Sequence, residues 1–396
     1  MAASAGFQAH VFDKLLGYPM PKQPTLAIEA THGIVYRNDS EFNSHPFLGG
    51  FWRTGDGSLL LAFMSADCNY ENPSDVHHDN ITTRRRRMRT IRSFDSGVTW
   101  DAGAIGTVFE TPEQPGDAVA EAEQTPLSEA NDADVLIATG SSPAILVPDA
   151  KTWMRISTDG GRSWRPSTKL PMFKLASLSG HGSVTRRQDG LWLAALTACS
   201  QDGWTRRPVF YGSWDGLTWT FLSFITPANQ DNEVDAPNVT NPRFGAHRYM
   251  YPRPIPLRDG RLLISVRSQR DPTSALWTEI YESHDGGRTS RFLSRVNDWG
   301  APGDVVQMAD GRIVCVYGYR LAPYGIRYRV SNDGGKSWGD EVILRTDGGS
   351  WDLGYPRVIE HSPGRLLAVY YFNSATDKVQ FNGGVRHIAS TEFAPQ

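Results

Sequence analysis

Cysteine is scarce in this chain: among 396 residues only Cys68, Cys199 and Cys315 occur. So few thiols, so far apart, set up neither a disulfide framework nor a metal-ligand spacing. No run of about 18 apolar residues is present, so no segment reads as a membrane-crossing helix and no membrane partner is expected. Charge of one sign is lacking as well. Lys and Arg number 40 against 43 Asp and Glu, a net charge of −3, which offers no global attraction for nucleic acid or an anionic membrane. Residues 1–16 hold no basic stretch followed by an apolar core, so no signal peptide is read there. A cytoplasmic protein is the default expectation; a secreted form already stripped of its leader would read the same.

Turn punctuation is plentiful: 38 glycines and 25 prolines sit among short apolar stretches, as expected of many short strands. One turn phrase is written five times. It reads Ser93-Phe94-Asp95-Ser96-Gly97-Val98-Thr99-Trp100, then Ser157-Thr158-Asp159-Gly160-Gly161-Arg162-Ser163-Trp164. A copy one residue shorter runs Ser213-Trp214-Asp215-Gly216-Leu217-Thr218-Trp219. Ser283-His284-Asp285-Gly286-Gly287-Arg288-Thr289 follows, with Ser290 where Trp is expected, and the last is Ser331-Asn332-Asp333-Gly334-Gly335-Lys336-Ser337-Trp338. Internal repeats of this kind mean solenoids or propellers. In each copy Asp can bond the backbone just ahead of it and Gly permits a positive φ, while Trp covers the turn with an apolar face. The spacing S-x-D-x-G-x-[ST]-W resembles the Asp-box between the third and fourth strands of sialidase-like propeller blades.

A second repeat, an Asp-Gly turn before an apolar strand, appears at Asp56-Gly57, Asp189-Gly190, Asp259-Gly260 and Asp310-Gly311, with Pro363-Gly364 as its last version. Each blade therefore reads strand A, Asp-Gly turn, buried strand B, a longer loop, strand C, Asp-box, strand D. Blade one spans about 42–110, with strand A near 45–52. Blade two spans about 116–172, with strand B near 135–138 and no Asp-Gly turn. Blades three to five carry the boxes at Ser213, Ser283 and Ser331. Blade six has strands at 355–360, 366–372 and 385–393 and no box. Its fourth strand is expected from the N-terminus, at 25–28 or 33–36, closing the ring without an open edge. The expectation is all-β: one six-bladed β-propeller with Asp-box turns over 1–396, a segment near 25–38 closing the last blade.

Boxes and Asp-Gly turns then share one face as scaffold, and the candidate site is the channel mouth on the other. Blade one sends there the loop carrying Asp67, Asp75, His77, His78 and Asp79, followed by the run that includes Arg84 and Arg85. Blade three brings His181, and blade four brings Arg248, Tyr251, Arg253 and Arg267. Blade five offers Asp304 and Arg320, and blade six Asp352 and Tyr355. Arg neutralises a carboxylate bidentately, aromatics stack on sugar faces, and Asp or His moves a proton. The set suits an acidic sugar.

The resemblance to the sialidase superfamily covers nearly the whole chain. It implies that Arg267 and Arg320 stand at the second and third carboxylate-binding arginines and Tyr355 at the nucleophile. One of Asp67, Asp75 or Asp79 is then the acid/base. Two positions depart from the pattern: Ser44-His45-Pro46 stands where an Arg-Ile-Pro motif is expected, and Tyr251 replaces the Glu that assists the tyrosine. An unperturbed phenol ionises near pH 10, so Tyr355 needs another activator.

Plainer readings compete. The Arg84–Arg89 run reads as a strand with alternating side chains rather than a nucleic-acid patch, and no nucleic-acid partner is expected. The Asp75-Val76-His77-His78-Asp79 cluster contains metal-ligand types, but adjacent histidines rarely point the same way; no metal and no cofactor are expected. His181 between two glycines can buttress a turn, and Trp351, Trp277 and Trp204 can line a sugar platform or the core. The leading expectation is an exo-acting glycoside hydrolase on an acidic or unusual terminal sugar, with an Asp acid/base, Tyr355 as nucleophile or stabiliser and arginines holding an anionic group. The alternatives are a polysaccharide lyase on a uronate-containing glycan using His181, Tyr251, Tyr355 and Arg267, and a non-catalytic glycan-binding propeller. The expected partner is a glycan, and the expected state a monomer.

Overall fold

The computed structural model describes residues 23–78, 85–111, 127, 131–181, 183–199, 206–227, 248–269 and 276–396. Six sheets follow one another along the chain, giving the six-bladed β-propeller read from the repeats. Blade one pairs the split inner strand Glu41–Ser44 and Gly50–Arg53 with Leu59–Asp67, then Arg86–Ser93 and Gly106–Glu110. The strand expected from residue 84 thus begins at Arg86, and Arg84 lies outside the described residues. Blade two shows Leu136–Ser142, Lys151–Ser157 and Thr168–Lys169 among the described residues. Blade three has a split inner strand too, Ser177–Ser179 and Val184–Arg186, both on Trp192–Cys199. Arg206–Ser213 and Thr220–Phe224 complete it. Blade four runs Arg248–Pro256, Leu262–Gln269, Leu276–Ser283 and Arg291–Arg295, and blade five Gly300–Gln307, Ile313–Tyr319, Gly325–Ser331 and Val342–Arg345.

Blade six consists of Gly354–Ser362, Arg365–Phe372 and His387–Phe393, and Ala30–Tyr36 pairs antiparallel with the last of these. The N-terminal segment does two jobs, not one. Thr25–Leu26 runs parallel to Val342–Arg345, on the outer edge of blade five, before the chain crosses to blade six.

Strand B of each blade is buried on both faces. In Leu59–Asp67 the side chains of Leu59, Leu61 and Phe63 join Leu367, Val369 and Tyr371 of blade six, while Ala62 joins Met88, Ala138 and Trp153 on the other side. This is the period-2 alternation of a strand sandwiched between neighbouring sheets. Each such fully buried Leu or Phe contributes about 1.5–3 kcal/mol.

Four of the five boxes fold alike, and in the shorter one Asp215 accepts from Leu217 N and Thr218 N. The Ser93 hydroxyl accepts from Gly97 N at 2.8 Å, and the Asp95 carboxylate accepts from Thr99 N at 2.8 Å. The same pair of bonds recurs at Ser157/Asp159, Ser283/Asp285 and Ser331/Asp333. Donation from the Thr99 and Ser337 hydroxyls holds the carboxyls of Asp95 and Asp333 down at about 2. Arg162 of the second box pairs with Asp56 of the first Asp-Gly turn at 2.7 Å, placing both turn types on one face.

The box glycine is the tight point. Gly97 has φ +95°, and a Cβ built on it would lie 2.2 Å from Cδ2 of Leu367 in blade six. Gly57, in an Asp-Gly turn, also has positive φ (+82°), but nothing lies within 4 Å of a built Cβ. Both Gly→Ala changes meet the left-handed backbone penalty of about 1–2 kcal/mol, and only Gly97→Ala adds overpacking of about 1–3 kcal/mol. Urea unfolding is therefore expected to show Gly97→Ala less stable than Gly57→Ala by that second increment; equal losses would deny the inter-blade contact its importance.

Candidate functional site

At the mouth opposite the boxes the inner strands are broken at one height. The ladder slips between Met250 and Arg253 in blade four, Gly300 and Gly303 in blade five, and Gly354 and Arg357 in blade six. In blade one a helical turn, Pro46–Gly49, fills the break, and in blade three the break holds His181. His45, Tyr251 and Tyr355 each precede a proline and adopt φ of 52°, 57° and 48°. Bulky residues in that region, just before proline, are strained by about 1–3 kcal/mol each. A close glycine pair makes room: a Cβ on Gly354 would sit 2.7 Å from Cα of Gly318.

The breaks re-aim their side chains into one aromatic arc. The Tyr355 ring lies 4.3 Å from His45 and 5.5 Å from Tyr251, and Tyr251 meets His181 edge-on at 4.8 Å. Tyr371 stacks on His45 at 4.8 Å and lies 5.9 Å from the Tyr355 ring. Arg267, at the end of strand B in blade four, donates from Nη1 to the Tyr355 hydroxyl at 2.7 Å and from Nη2 to Gln269 at 3.2 Å. Its guanidinium stands 5.4 Å from the Tyr251 ring. Arg320 donates to the carbonyls of Ala301 (3.1 Å) and Trp351 (2.8 Å) and lies 5.4 Å from the Tyr355 ring.

The histidines of the arc are held neutral, and guanidiniums stand beside it. Burial, then Arg206, pushes the His181 imidazole down to about 3. His45 is held well below its ordinary value by burial, with His78, Arg320 and Arg267 outweighing the opposing pull of Asp352. Burial and the neighbouring Tyr355 push the Tyr251 phenol up. Among the described residues Arg267 Nε, Arg320 Nη2, His45 Nδ1 and both His181 nitrogens have no hydrogen-bond partner. Buried donors left unmade are costly, and a set of them beside two guanidiniums is complementary to an anionic, oxygen-rich ligand.

Two buried carboxylates lie nearby, and both are occupied. Asp304, two residues further along its strand than Pro302, is fully buried; it accepts from Arg253 Nε at 3.0 Å and Val358 N at 2.8 Å, with Arg357 Nε at 3.4 Å. Asp352 accepts from Tyr371 and from Arg386 at 3.0 Å, and its Oδ1 lies 2.7 Å from His78 Nδ1. Burial works against its charge, yet His78, Arg386 and Tyr371 together keep its carboxyl well below the usual range.

The structure thus gathers Tyr355, Tyr251, His181, His45, Arg267 and Arg320, and adds Asp352 at the rim. Asp304 and Arg253 sit deeper and bond each other. Asp67 is exposed and pairs with Arg87 at 2.6 Å. Asp75 is buried in its own loop, where it accepts from Asn69 N and Asn72 Nδ2 at 3.2 Å. Arg248 is buried at the start of the blade-four inner strand. Asp79, Arg84 and Trp204 lie outside the described residues. Trp351 is 49% exposed beside Arg320, whereas Trp277 is buried and donates to Glu279 at 2.7 Å. Tyr371 and Arg386 were not anticipated as site residues, nor was the pairing of His78 with Asp352. A signal existed for the arc itself: His45-Pro46, Tyr251-Pro252, Ala301-Pro302 and Tyr355-Pro356 recur at the same place in four blades.

Residues 126–367 match the family described as a BNR repeat-like domain. A search of curated proteins finds no match in sequence. Among solved structures, a protein of unknown function from Dyadobacter fermentans superposes with TM-score 0.70 at 21% identity, covering 93% of this chain and 99% of that one. Trypanosoma rangeli sialidase in complex with sialic acid gives TM-score 0.56 at 15% identity, over 93% of this chain and 59% of that one. The α-L-arabinanase of Penicillium chrysogenum with arabinobiose gives 0.55 at 13%, over 92% and 98%. The sialidase-like propeller expected from the boxes is the fold observed.

His181 carries a pH test. Its imidazole is neutral in the folded chain down to about 3, while in the unfolded chain it protonates below about 6.5. The unfolded state therefore binds the extra proton, and folding stability falls as pH drops from about 6.5 toward 3, by up to about 1.4 kcal/mol per pH unit. Urea unfolding at pH 7, 6 and 5 is expected to show a shallower decline in His181→Gln than in the parent chain; parallel declines would mean that His181 is not held neutral.

Proposed function

The chain belongs to the BNR repeat-like domain family, and on that footing we propose that it hydrolyses the glycosidic bond of a terminal anionic sugar. The observation that carries this reading is the 2.7 Å bond from Arg267 to the Tyr355 hydroxyl, inside a mouth rich in unmatched donors. Arg320 and the free edge of Arg267 take the sugar's carboxylate. The exposed Trp351 ring offers a platform for the sugar face. Tyr355 then faces the anomeric carbon, and the guanidinium of Arg267, bonded to the phenolic oxygen, orients it for attack as the bond to the leaving group breaks. The left-handed backbone at Tyr355 supports the assignment, since strain of that kind concentrates at functional sites.

One observation favours a second reading, elimination from a uronate. Of the carboxylates expected to act as acid, Asp67 and Asp75 are already bonded to protein partners, whereas a neutral, unbonded His181 stands against Tyr251. A base of this type can remove the proton α to a carboxylate while Arg267 neutralises the enolate-like charge.

Incubation with a panel of sialosides and uronate-containing oligosaccharides, read by mass and ultraviolet absorbance together, separates the readings. Products that sum to substrate plus water support hydrolysis; unsaturated products without added water support elimination. Glycan affinity without turnover would overturn both in favour of a binding propeller. In either reaction Tyr355→Phe and Arg267→Met are expected to lower kcat/KM by about 10²–10³-fold, and full activity in either variant would displace that residue from the chemistry.

A further inference from the structure

The loop after Leu59–Asp67 is built to deliver one side chain to the mouth. Asp75 ties its turn through Asn69 and Asn72. Val76 is fully buried with Phe42, Tyr70 and Val385, and its carbonyl accepts from Asn382 at 2.5 Å. Two residues later His78 emerges with its side chain 30% exposed, its ring 5.2 Å from His45 and 5.8 Å from Trp351. Its Nδ1 meets Asp352 at 2.7 Å, and Asp352 is itself immobilised by Arg386 and Tyr371. A carboxylate bonded to Nδ1 fixes the ring's tautomer and orientation, leaving Nε2 to exchange protons. Nε2 makes no hydrogen bond among the described residues. His78 also lies a single ring, that of His45, away from Tyr355.

We propose that His78, oriented by Asp352, is the group that gives the leaving sugar its proton and later takes one from water; this rests on the hydrolytic reading above. In the first half-reaction the Tyr355 phenolate attacks the anomeric carbon. The glycosidic C–O bond breaks, and its electron pair takes the proton from Nε2 of the His78 imidazolium, releasing an alcohol and leaving neutral His78. In the second, water attacks the anomeric carbon, neutral His78 accepts the water proton, and the Tyr355–carbon bond breaks to return phenolate and imidazolium. The sum is glycoside plus water to sugar plus alcohol. Asp352 is a positioning residue: its lone pairs are taken by Tyr371, Arg386 and His78, so it does not reach the sugar.

Leaving-group dependence tests this. The probes are the methyl and 4-nitrophenyl glycosides of N-acetylneuraminic acid and of glucuronic acid, compared by kcat/KM, which reports the cleavage step. Nitrophenolate departs without a proton, whereas methanol requires one. His78→Gln is expected to lose about 10²–10⁴-fold on the methyl glycoside and less than about tenfold on the nitrophenyl one, whose retained cleavage also shows that the variant folds. Asp352→Asn keeps the imidazole but not its orientation and is expected to show the same selectivity at about tenfold or more. Equal losses on both probes, or a methyl glycoside rate within a few-fold of the parent chain, would overturn the role of His78 and leave hydrolysis standing. Failure of the parent chain to hydrolyse any of the four glycosides overturns the hydrolytic reading, and with it this assignment.

Discussion

Closure of the ring rests on a contact between a box glycine in one blade and an apolar side chain in the blade before it. Gly97 of blade one faces Leu367 of blade six, and Gly161 faces Leu60 of blade one. Gly216 faces Leu127, Gly287 faces Phe210, and Gly335 faces Leu263. The box carbonyls strengthen two of these contacts, since Ser223 donates to Gly287 O at 2.6 Å and Ser294 to Gly335 O at 2.5 Å. Five boxes serve five of six junctions. The remaining junction, between blades five and six, is spanned by the N-terminal segment, which pairs with Val342–Arg345 and then with His387–Phe393. A ring held this way from one face leaves the other free to be irregular.

That freedom is used at the mouth. Regular inner strands would point alternate side chains into the channel at a fixed spacing. The breaks at His45, His181, Tyr251 and Tyr355 add residues locally, turn the strand and re-aim one aromatic or imidazole ring from each of four blades toward a common point. Blade five contributes only Ala301 at that height, and the space beside it is where Arg320 bonds the Ala301 carbonyl and reaches the Tyr355 ring.

Repeats spaced along the chain were legible, and contacts across it were not. The boxes and Asp-Gly turns are local hydrogen-bonding devices, so their residue types alone mark the blades and the scaffold face. Tyr355, Arg267 and Arg320 were legible because their positions relative to those repeats matched a family pattern. The Arg253–Asp304–Arg357 cluster was not, because it joins three blades through side chains separated by about fifty residues at each step. His78 was passed over for a different reason. Adjacent histidines point in different directions, so Asp75-Val76-His77-His78 looks alike whether its rings are shared or separate; what singles out His78 is Asp352, 274 residues away. Asp75, by contrast, resembled an acid in sequence and is spent on holding the turn that aims His78.

Asp304 and Asp352 show how one physical device gives two outcomes. Each is a carboxylate almost wholly removed from water and held between cationic or hydrogen-bonding partners, because a buried charge is tolerated only when matched. The difference lies in what the partners can do. Asp304 is flanked by two guanidiniums, so the cluster acts as a strut tying blades four, five and six together beneath the arc. Asp352 is shared between Arg386 and the His78 imidazole, whose two ring nitrogens can each give or take a proton. Burial makes both carboxylates rigid; only Asp352 has an imidazole partner that reaches solvent beside an exposed Trp351, which is the placement that the proposed proton transfer requires.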